Sequence, residues 1–206
     1  MLKKILKVLK WIGIVILVGF VIIVIVRTVH FFNLDKTNIE VAKIHSTKLQ
    51  MADVLGTNLP PDPGAEADAT VQGVDANKNG IRDDVELAIF KEYPNSAKTR
   101  AVLLQYALAL QRQFTQPIVN TDTVIAVSQE EDRAYICVGE ILNRDDNDEK
   151  IMEQYFKDGD KLRSFVEGNQ LNTLERKNNQ KNFLKKIGSY KSLDRVCDID
   201  YSSLPN

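Results

Sequence analysis

The sequence predicts an all-α chain: an N-terminal transmembrane helix followed by an irregular helical array. Two patterns predict it. Trp11 to Val26 is a run of sixteen residues with no charged or strongly polar side chain. Downstream, apolar residues recur at spacings of three, four and seven, and no segment alternates strictly for long enough to make a strand. At 206 residues the chain has room for one domain plus attachments.

The apolar run comes first. As a helix it rises about 24 Å, close to the roughly 30 Å hydrocarbon core of a bilayer. Leu9, Val29, Phe31 and Phe32 extend it, so the expected span covers residues 11–32, and Lys10 and Arg27 can carry their charges to the two interfaces. Trp11 sits where an indole prefers the headgroup level. A cleaved signal peptide is the alternative, with an apolar core of roughly 7 to 15 residues and small residues at its cleavage site. Val26 to Phe32 offers no small-x-small site, which favours an uncleaved anchor. Ile, Val and Leu cover every face of the run, which counts against a core helix.

Lys3, Lys4, Lys7 and Lys10 precede the run, and only Arg27 follows closely. The positive-inside rule then leaves residues 1–10 as a cytoplasmic basic segment and exports the rest to the periplasm or cell exterior, the topology of a single-pass inner-membrane protein. Taking those four lysines from 27 basic residues leaves 23 against 28 acidic ones. This mildly acidic exported part has no basic face for nucleic acid. Cys137 and Cys197 both fall on the exported side, where an oxidising compartment favours a disulfide; two separate buried thiols are the alternative.

Residues 33–74 read as a juxtamembrane helix and a proline-rich linker. Val41, Ile44, Met51 and Leu55 share one helical face over Asp35–Leu55, and Pro60-Pro61-Asp62-Pro63-Gly64 stops regular structure. Ala65–Thr70 is small and polar, a linker or short turn. Asp84–Tyr93 is a short helix with Val85 and Ile89 inward, closed by Pro94. Ser96–Phe114 is longer, with Leu103, Ala107, Leu110 and Phe114 on one stripe and Ala101, Leu104 and Leu108 beside it. Thr123–Asn143 turns Ala134, Cys137, Val138, Ile141 and Leu142 inward, and leaves Glu130-Glu131-Asp132-Arg133 as a solvated face. Asp148–Lys157 carries Ile151, Met152, Tyr155 and Phe156, and Asp160–Glu167 carries Leu162, Phe165 and Val166. Asn172 opens the last helix as an N-cap with Glu175 three residues on; Phe183, Leu184 and Ile187 face inward and Gly188 ends it.

One segment carries specific chemistry. Residues 75–86 read Asp-Ala-Asn-Lys-Asn-Gly-Ile-Arg-Asp-Asp-Val-Glu and satisfy D-x-[DN]-x-[DN]-G-x5-E, the calcium-loop pattern, at every defined position. Calcium takes six to eight hard oxygens at about 2.3–2.6 Å, and side chains two apart on a tight turn converge on one point. Glycine at the sixth place lets the chain bend sharply. Asp75, Asn77 and Asn79 then supply side-chain oxygens, Ile81 its carbonyl, Asp83 a direct or water-mediated ligand, and Glu86 a bidentate carboxylate. Asp84 reads as the charge opposite the positive end of the following helix. Arg82 neutralises part of the acidity or reaches a nearby carboxylate. A solvated acidic turn is the plainer reading of the same residues.

The loop resembles the EF-hand loop, and more closely the D-x-D-x-D-G-x-x-D variant of thrombospondin type 3 repeats and related bacterial exported proteins, matched by Asp75, Asn77, Asn79, Gly80 and Asp83. The resemblance covers about 12 residues of the 206 and implies calcium binding alone. Arg82 stands where an EF-hand has an aliphatic residue, and proline-rich chain replaces the incoming helix, so a paired sensor module is not implied. The arrangement is also similar to bacterial membrane-anchored proteins that place P-P-D-P-G, here Pro60–Gly64, before such a loop. These carry a later N-T-x-E-R, here Asn172–Arg176.

Other chemistry is thinly represented. Asp145–Glu149 is acidic but lacks the glycine and the ordered spacing, so it reads as an interhelical turn. The two histidines, His30 and His45, precede the loop, which argues against histidine-based catalysis or zinc in the body of the domain. No nucleophile elbow or phosphate-binding glycine loop occurs. The expected function is a membrane-anchored, calcium-stabilised, non-enzymatic domain that binds another cell-envelope component. A calcium-responsive regulator and a cell-envelope hydrolase are the alternatives.

Overall fold

The computed structural model describes residues 2–206, without the side chains of residues 2, 3, 5 and 8. Met1 and the Lys3 side chain, part of the expected basic flank, lie outside the described residues. The chain divides into two compact units, one ending at Glu40 and one covering Val41–Asn206.

Over its described residues the first unit is helix, the body of α1 (Leu2–Ser46). Trp11, Phe20, Ile23, Val26, Phe31 and Phe32 are all exposed. A helix satisfies its own backbone hydrogen bonds, and Thr28 also turns its hydroxyl back to the Val24 carbonyl at 2.8 Å. Such a segment meets the demand that lipid makes of a spanning chain. Among the described residues this is the one helix long and apolar enough to cross a membrane.

The second unit is all helical: the end of α1, then α2 (Met51–Leu55), a 3-10 turn (Gly64–Asp68), α3 (Asp83–Glu92), α4 (Ala97–Thr115), α5 (Thr121–Gly139), α6 (Glu149–Gln170) and α7 (Leu174–Leu184). Among the described residues no strand forms. α4 is the central element, packed by α2, α3, α5, α6 and α7. Both of its expected stripes are buried, and Val102, Tyr106 and Ala109 between them are buried too, as a helix walled on all sides requires. Around it close Val85 and Ile89 of α3, Ala134 and Val138 of α5, and Leu162 and Val166 of α6. Ile44, Val124, Val127 and Phe183 form a second, smaller cluster. Each long helix starts on a side-chain cap: Ser96 accepts from the Thr99 N–H, Asn120 from Asp122 and Thr123, and Asp148 from Lys150 and Ile151. Cys137 and Cys197 form a disulfide that ties the C-terminal tail to α5.

Several sequence expectations are corrected. The helix expected over Asp35–Leu55 breaks at Thr47–Gln50. Leu49 turns into the core, its N–H donates to Asp198 at 3.0 Å, and Arg112 takes the Thr47 carbonyl, so side chains replace the helical ladder. Met51 and Leu55 are left exposed. Ala65–Thr70, expected as a linker or short turn, is the second of these, lying mostly in the 3-10 turn. The two helices expected over Asp148–Lys157 and Asp160–Glu167 are one, α6, which runs straight through a buried Gly159. The Arg163 guanidinium covers that glycine so closely that a β-carbon would meet its Nη1 at 2.8 Å. Phe156, one of the apolar residues of the first of those two expected helices, is exposed. α5 ends at Gly139, and Ile141 and Leu142 pack on the core from the turn beyond it. α7 is capped by Thr173 rather than Asn172 and stops at Leu184, which is exposed, short of Ile187 and Gly188.

The largest correction concerns Glu130–Arg133. Glu130 and Arg133 are buried, not solvated. Glu130 receives Lys48 at 2.9 Å, Arg133 at 2.7 Å, Arg112 at 3.2 Å and His45 Nδ1 at 2.9 Å. Arg133 also reaches Asp198, which in turn holds the Leu49 N–H. One ionic cluster thus joins residues 45–49, α4, α5 and the C-terminal tail.

Candidate metal centre

The loop at residues 75–86 is curled by its own Asx side chains. Asp75 Oδ1 accepts from the Asn79 N–H at 3.1 Å and its Oδ2 from the Gly80 N–H at 3.0 Å. Asn77 Oδ1 accepts from the Asn79 N–H at 3.3 Å and Asn79 Oδ1 from the Ile81 N–H at 2.9 Å. Short acceptors at alternate positions therefore replace a backbone ladder with a tight coil. Gly80 has φ +86°, and a β-carbon there would lie 2.7 Å from Leu108 Cδ1, so only glycine fits on both counts. Lys78 is the one non-glycine residue with positive φ among the described residues, at +59°.

The loop is pinned at both ends. Asp83 donates its N–H to the Val74 carbonyl at 2.9 Å, and its carboxylate accepts the Ala76 N–H at 3.0 and 3.1 Å. Ile81 is fully buried and seats the loop in the main core. Arg82 is fully buried as well; it pairs with Asp84 and donates to the Gln170 and Asn169 carbonyls at 3.1 and 2.6 Å, binding the loop to the end of α6. A fork of donors is what two carbonyls and a carboxylate in one place require. Gly73, with φ +68°, leaves the room that the Arg82 side chain fills.

Glu86 is the unusual group. It is fully buried in the first turn of α3, and its Oε2 accepts from Asn77 Nδ2 at 3.1 Å and Asn79 Nδ2 at 3.0 Å. Its Oε1 is buried with no hydrogen-bond partner. Burial pushes this carboxyl up to about 7, and burial also raises Asp75 and Asp83 above the ordinary carboxylate range. Among the described residues, none of the ion pairs involves Asp75, Asp83 or Glu86.

Asp75, Asn77, Asn79 and Ile81 lie on the coil and Asp83 and Glu86 in the first turn of α3, with the Glu86 carboxylate directed at the two asparagine amides. Asp83 faces the Ala76 N–H. Among the described residues, no group of three or more His, Cys, Asp and Glu side chains is gathered as a metal would hold them. Comparison with protein-family models, curated proteins and solved structures finds no match.

The chain's own geometry therefore carries the functional reading. The N-T-x-E-R stretch has a definite structural part here. Arg176, fully buried, donates to the carbonyls of Ala67, Thr70 and Val71 and to Asp68, whose carboxyl it holds below the ordinary range, and Asn172 reaches Asp68 at 3.0 Å. These contacts fasten the chain between the proline-rich segment and the loop. Asp145–Glu149 is a turn and helix cap, with Asp145 accepting the Asn147 N–H at 2.9 Å. Sequence reasoning missed Asp53, a buried carboxylate of α2 lying 3.4 Å from Asn79 Nδ2. No local spacing links residue 53 to residue 79.

Proposed function

We propose that the chain is a single-pass, membrane-anchored domain, stabilised by one calcium ion at residues 75–86, that binds another component of the cell envelope without catalysing a reaction. The carrying observation is Glu86: a fully buried carboxylate with one oxygen unpartnered and the other held only by neutral amides. A buried carboxylate with no cationic partner is expensive to ionise, and a divalent cation supplies what Asn77 and Asn79 supply only weakly. Asp75, Asn77, Asn79 and Asp83 and the Ile81 carbonyl complete an oxygen-rich donor set that suits calcium and does not suit zinc. The ordered coil fits a clip between the preceding linker and α3 better than a sensor that opens.

The exported orientation draws support from the Cys137–Cys197 disulfide, since such bonds persist in oxidising compartments, and from the lysines ahead of the apolar run. With three formal negative charges among its ligands, Asp75, Asp83 and Glu86, affinity in the range of roughly 10⁻⁴ to 10⁻³ M suits an exported site. Calorimetric titration of the full chain with calcium tests the reading. Wild type should give a saturable heat that Asp75→Ala abolishes, and equal heats in both would remove the site. A large change of helical signal on binding would favour the calcium-responsive regulator. Crosslinking and pull-down from native membranes then seeks the partner.

A further inference from the structure

Asp53 stands at the third position of the five-residue α2 and is 4% exposed. Its Oδ2 accepts the Gln50 N–H at 3.2 Å, an ordinary helix-start contact. Its Oδ1 has only two long amide contacts, each 3.4 Å, from Asn58 Nδ2 and Asn79 Nδ2. That Asn79 nitrogen is also 3.0 Å from Glu86 Oε2. One neutral amide therefore stands between the carboxylates of α2 and α3. Asn77 adds a second amide, donating to Glu86 and, at 2.7 Å, to the Asn58 carbonyl.

The charge around this point is unbalanced. Asp53, like Asp75, Asp83 and Glu86, takes part in none of the ion pairs among the described residues. Glu86, whose Oε2 shares the Asn79 amide with Asp53, has its other oxygen, Oε1, buried without a partner. A cleft of about 390 Å³ lies here, lined by Asp53, Asn58, Asn77 and Asn79 and also by Lys48 and Lys78. Lys48 is already engaged by Glu130. Amide nitrogens can bridge two carboxylates but cannot neutralise them, whereas a hard divalent cation with six to eight oxygen ligands can do both.

We propose that the divalent-cation site extends beyond the loop to Asp53, so that one calcium ion clamps α2 and the residues leading into it onto the loop and α3. The proposal rests on the calcium reading given above and adds a fourth carboxylate, from outside the loop, to its donor set. Asn58, whose carbonyl already holds Asn77, keeps the two chain segments in register. The ion then sets the order of residues 47–58 as well as that of the loop.

The test uses the full chain in detergent micelles, calcium chloride as the probe, and three proteins: wild type, Asp53→Asn and Asp75→Ala. Asparagine can still accept the Gln50 N–H, so α2 should keep its start. Calorimetry should show calcium binding weakened about tenfold in Asp53→Asn, as expected for losing one carboxylate from the donor set. Hydrogen exchange should show calcium protecting the amides of residues 47–58 in wild type and not in Asp53→Asn. The thermal midpoint in chelator should be unchanged or raised, because one of several crowded charges has gone. Should Asp53→Asn fail to fold, Asp53→Ser, which also offers an acceptor to Gln50, takes its place. Equal affinities and equal protection in wild type and Asp53→Asn, with Asp75→Ala silent, would overturn the clamp and leave the loop site standing. A midpoint in chelator that falls while affinity holds would also overturn it, giving Asp53 a structural part alone. Absence of calcium binding in wild type would remove the loop reading and the clamp together.

Discussion

Glu130 gathers His45, Lys48, Arg112 and Arg133 about one buried carboxylate. Burial alone would raise its pKa, but hydrogen bonds from His45, Lys48 and Arg133 overcome that and hold it at about 2. Removing one partner from a buried ionic group strands the others, so Glu130→Gln should cost about 3 kcal/mol in urea unfolding. The sign with pH follows from the direction of the shift. A carboxyl whose folded pKa is depressed contributes stability above its ordinary value of 4.5, and that contribution is lost as pH falls toward about 2. The gap between wild type and Glu130→Gln should therefore be constant above pH 4.5 and shrink below it; parallel curves through that window would contradict the assignment. Glu131, next in sequence, runs the other way. Burial pushes it up to about 7, so its contribution is present below 4.5 and is lost as pH rises through 7. Adjacent residues of one acidic run thus have opposite effects, which the sequence alone does not tell apart. The partners that separate them lie as far away as residue 45 for Glu130 and residue 113 for Glu131.

At the scale of elements, what was legible was local. The calcium-loop pattern could be read because all its members fall within twelve residues, and a coil that short is closed by its own Asx side chains. α3 and α4 could be read because their apolar stripes repeat at helical spacing and prolines bound them. The break at Thr47–Gln50 could not, since Val41, Ile44, Met51 and Leu55 keep the same period across it. It is made by Asp198 and Arg112, which claim Leu49 and Thr47 from distant parts of the chain. The gap expected between Lys157 and Asp160 is continuous helix, with Gly159 as a seat for Arg163. Asn172 looked like a cap but spends its side chain on Asp68 and Arg176. The stretch around Arg176 gives an element-scale prediction. Arg176→Lys keeps the charge but loses the planar fork that serves three carbonyls and a carboxylate at once. Unfolding free energy should fall by about 2–4 kcal/mol, and limited proteolysis should then cut first within residues 64–74. A loss under about half a kcal/mol, typical of a surface change, would show that those carbonyls find other partners.

Across the whole molecule, the helical unit from Val41 has a large core of its own around α4 and a disulfide that closes a span of 60 residues. In the chain-entropy account that crosslink is worth about 4 kcal/mol. A domain so held is expected to form its helices without an ion. The proposed ion acts instead on one corner, where α2, the loop and the start of α3 bring together Asp53, Asp75, Asp83 and Glu86, none of which joins an ion pair among the described residues. Ligand binding to the folded form alone adds RT ln(1 + [Ca]/Kd), about 1.4 kcal/mol at a tenfold excess over Kd, which is a rise of a few degrees in a domain of this size. Matched thermal melts of the full chain in excess calcium and in chelator, followed by circular dichroism, test this most directly. The account expects a midpoint a few degrees higher in calcium with the same helical signal before the transition; a midpoint unchanged within about a degree, or the loss of most helical signal in chelator, would contradict it.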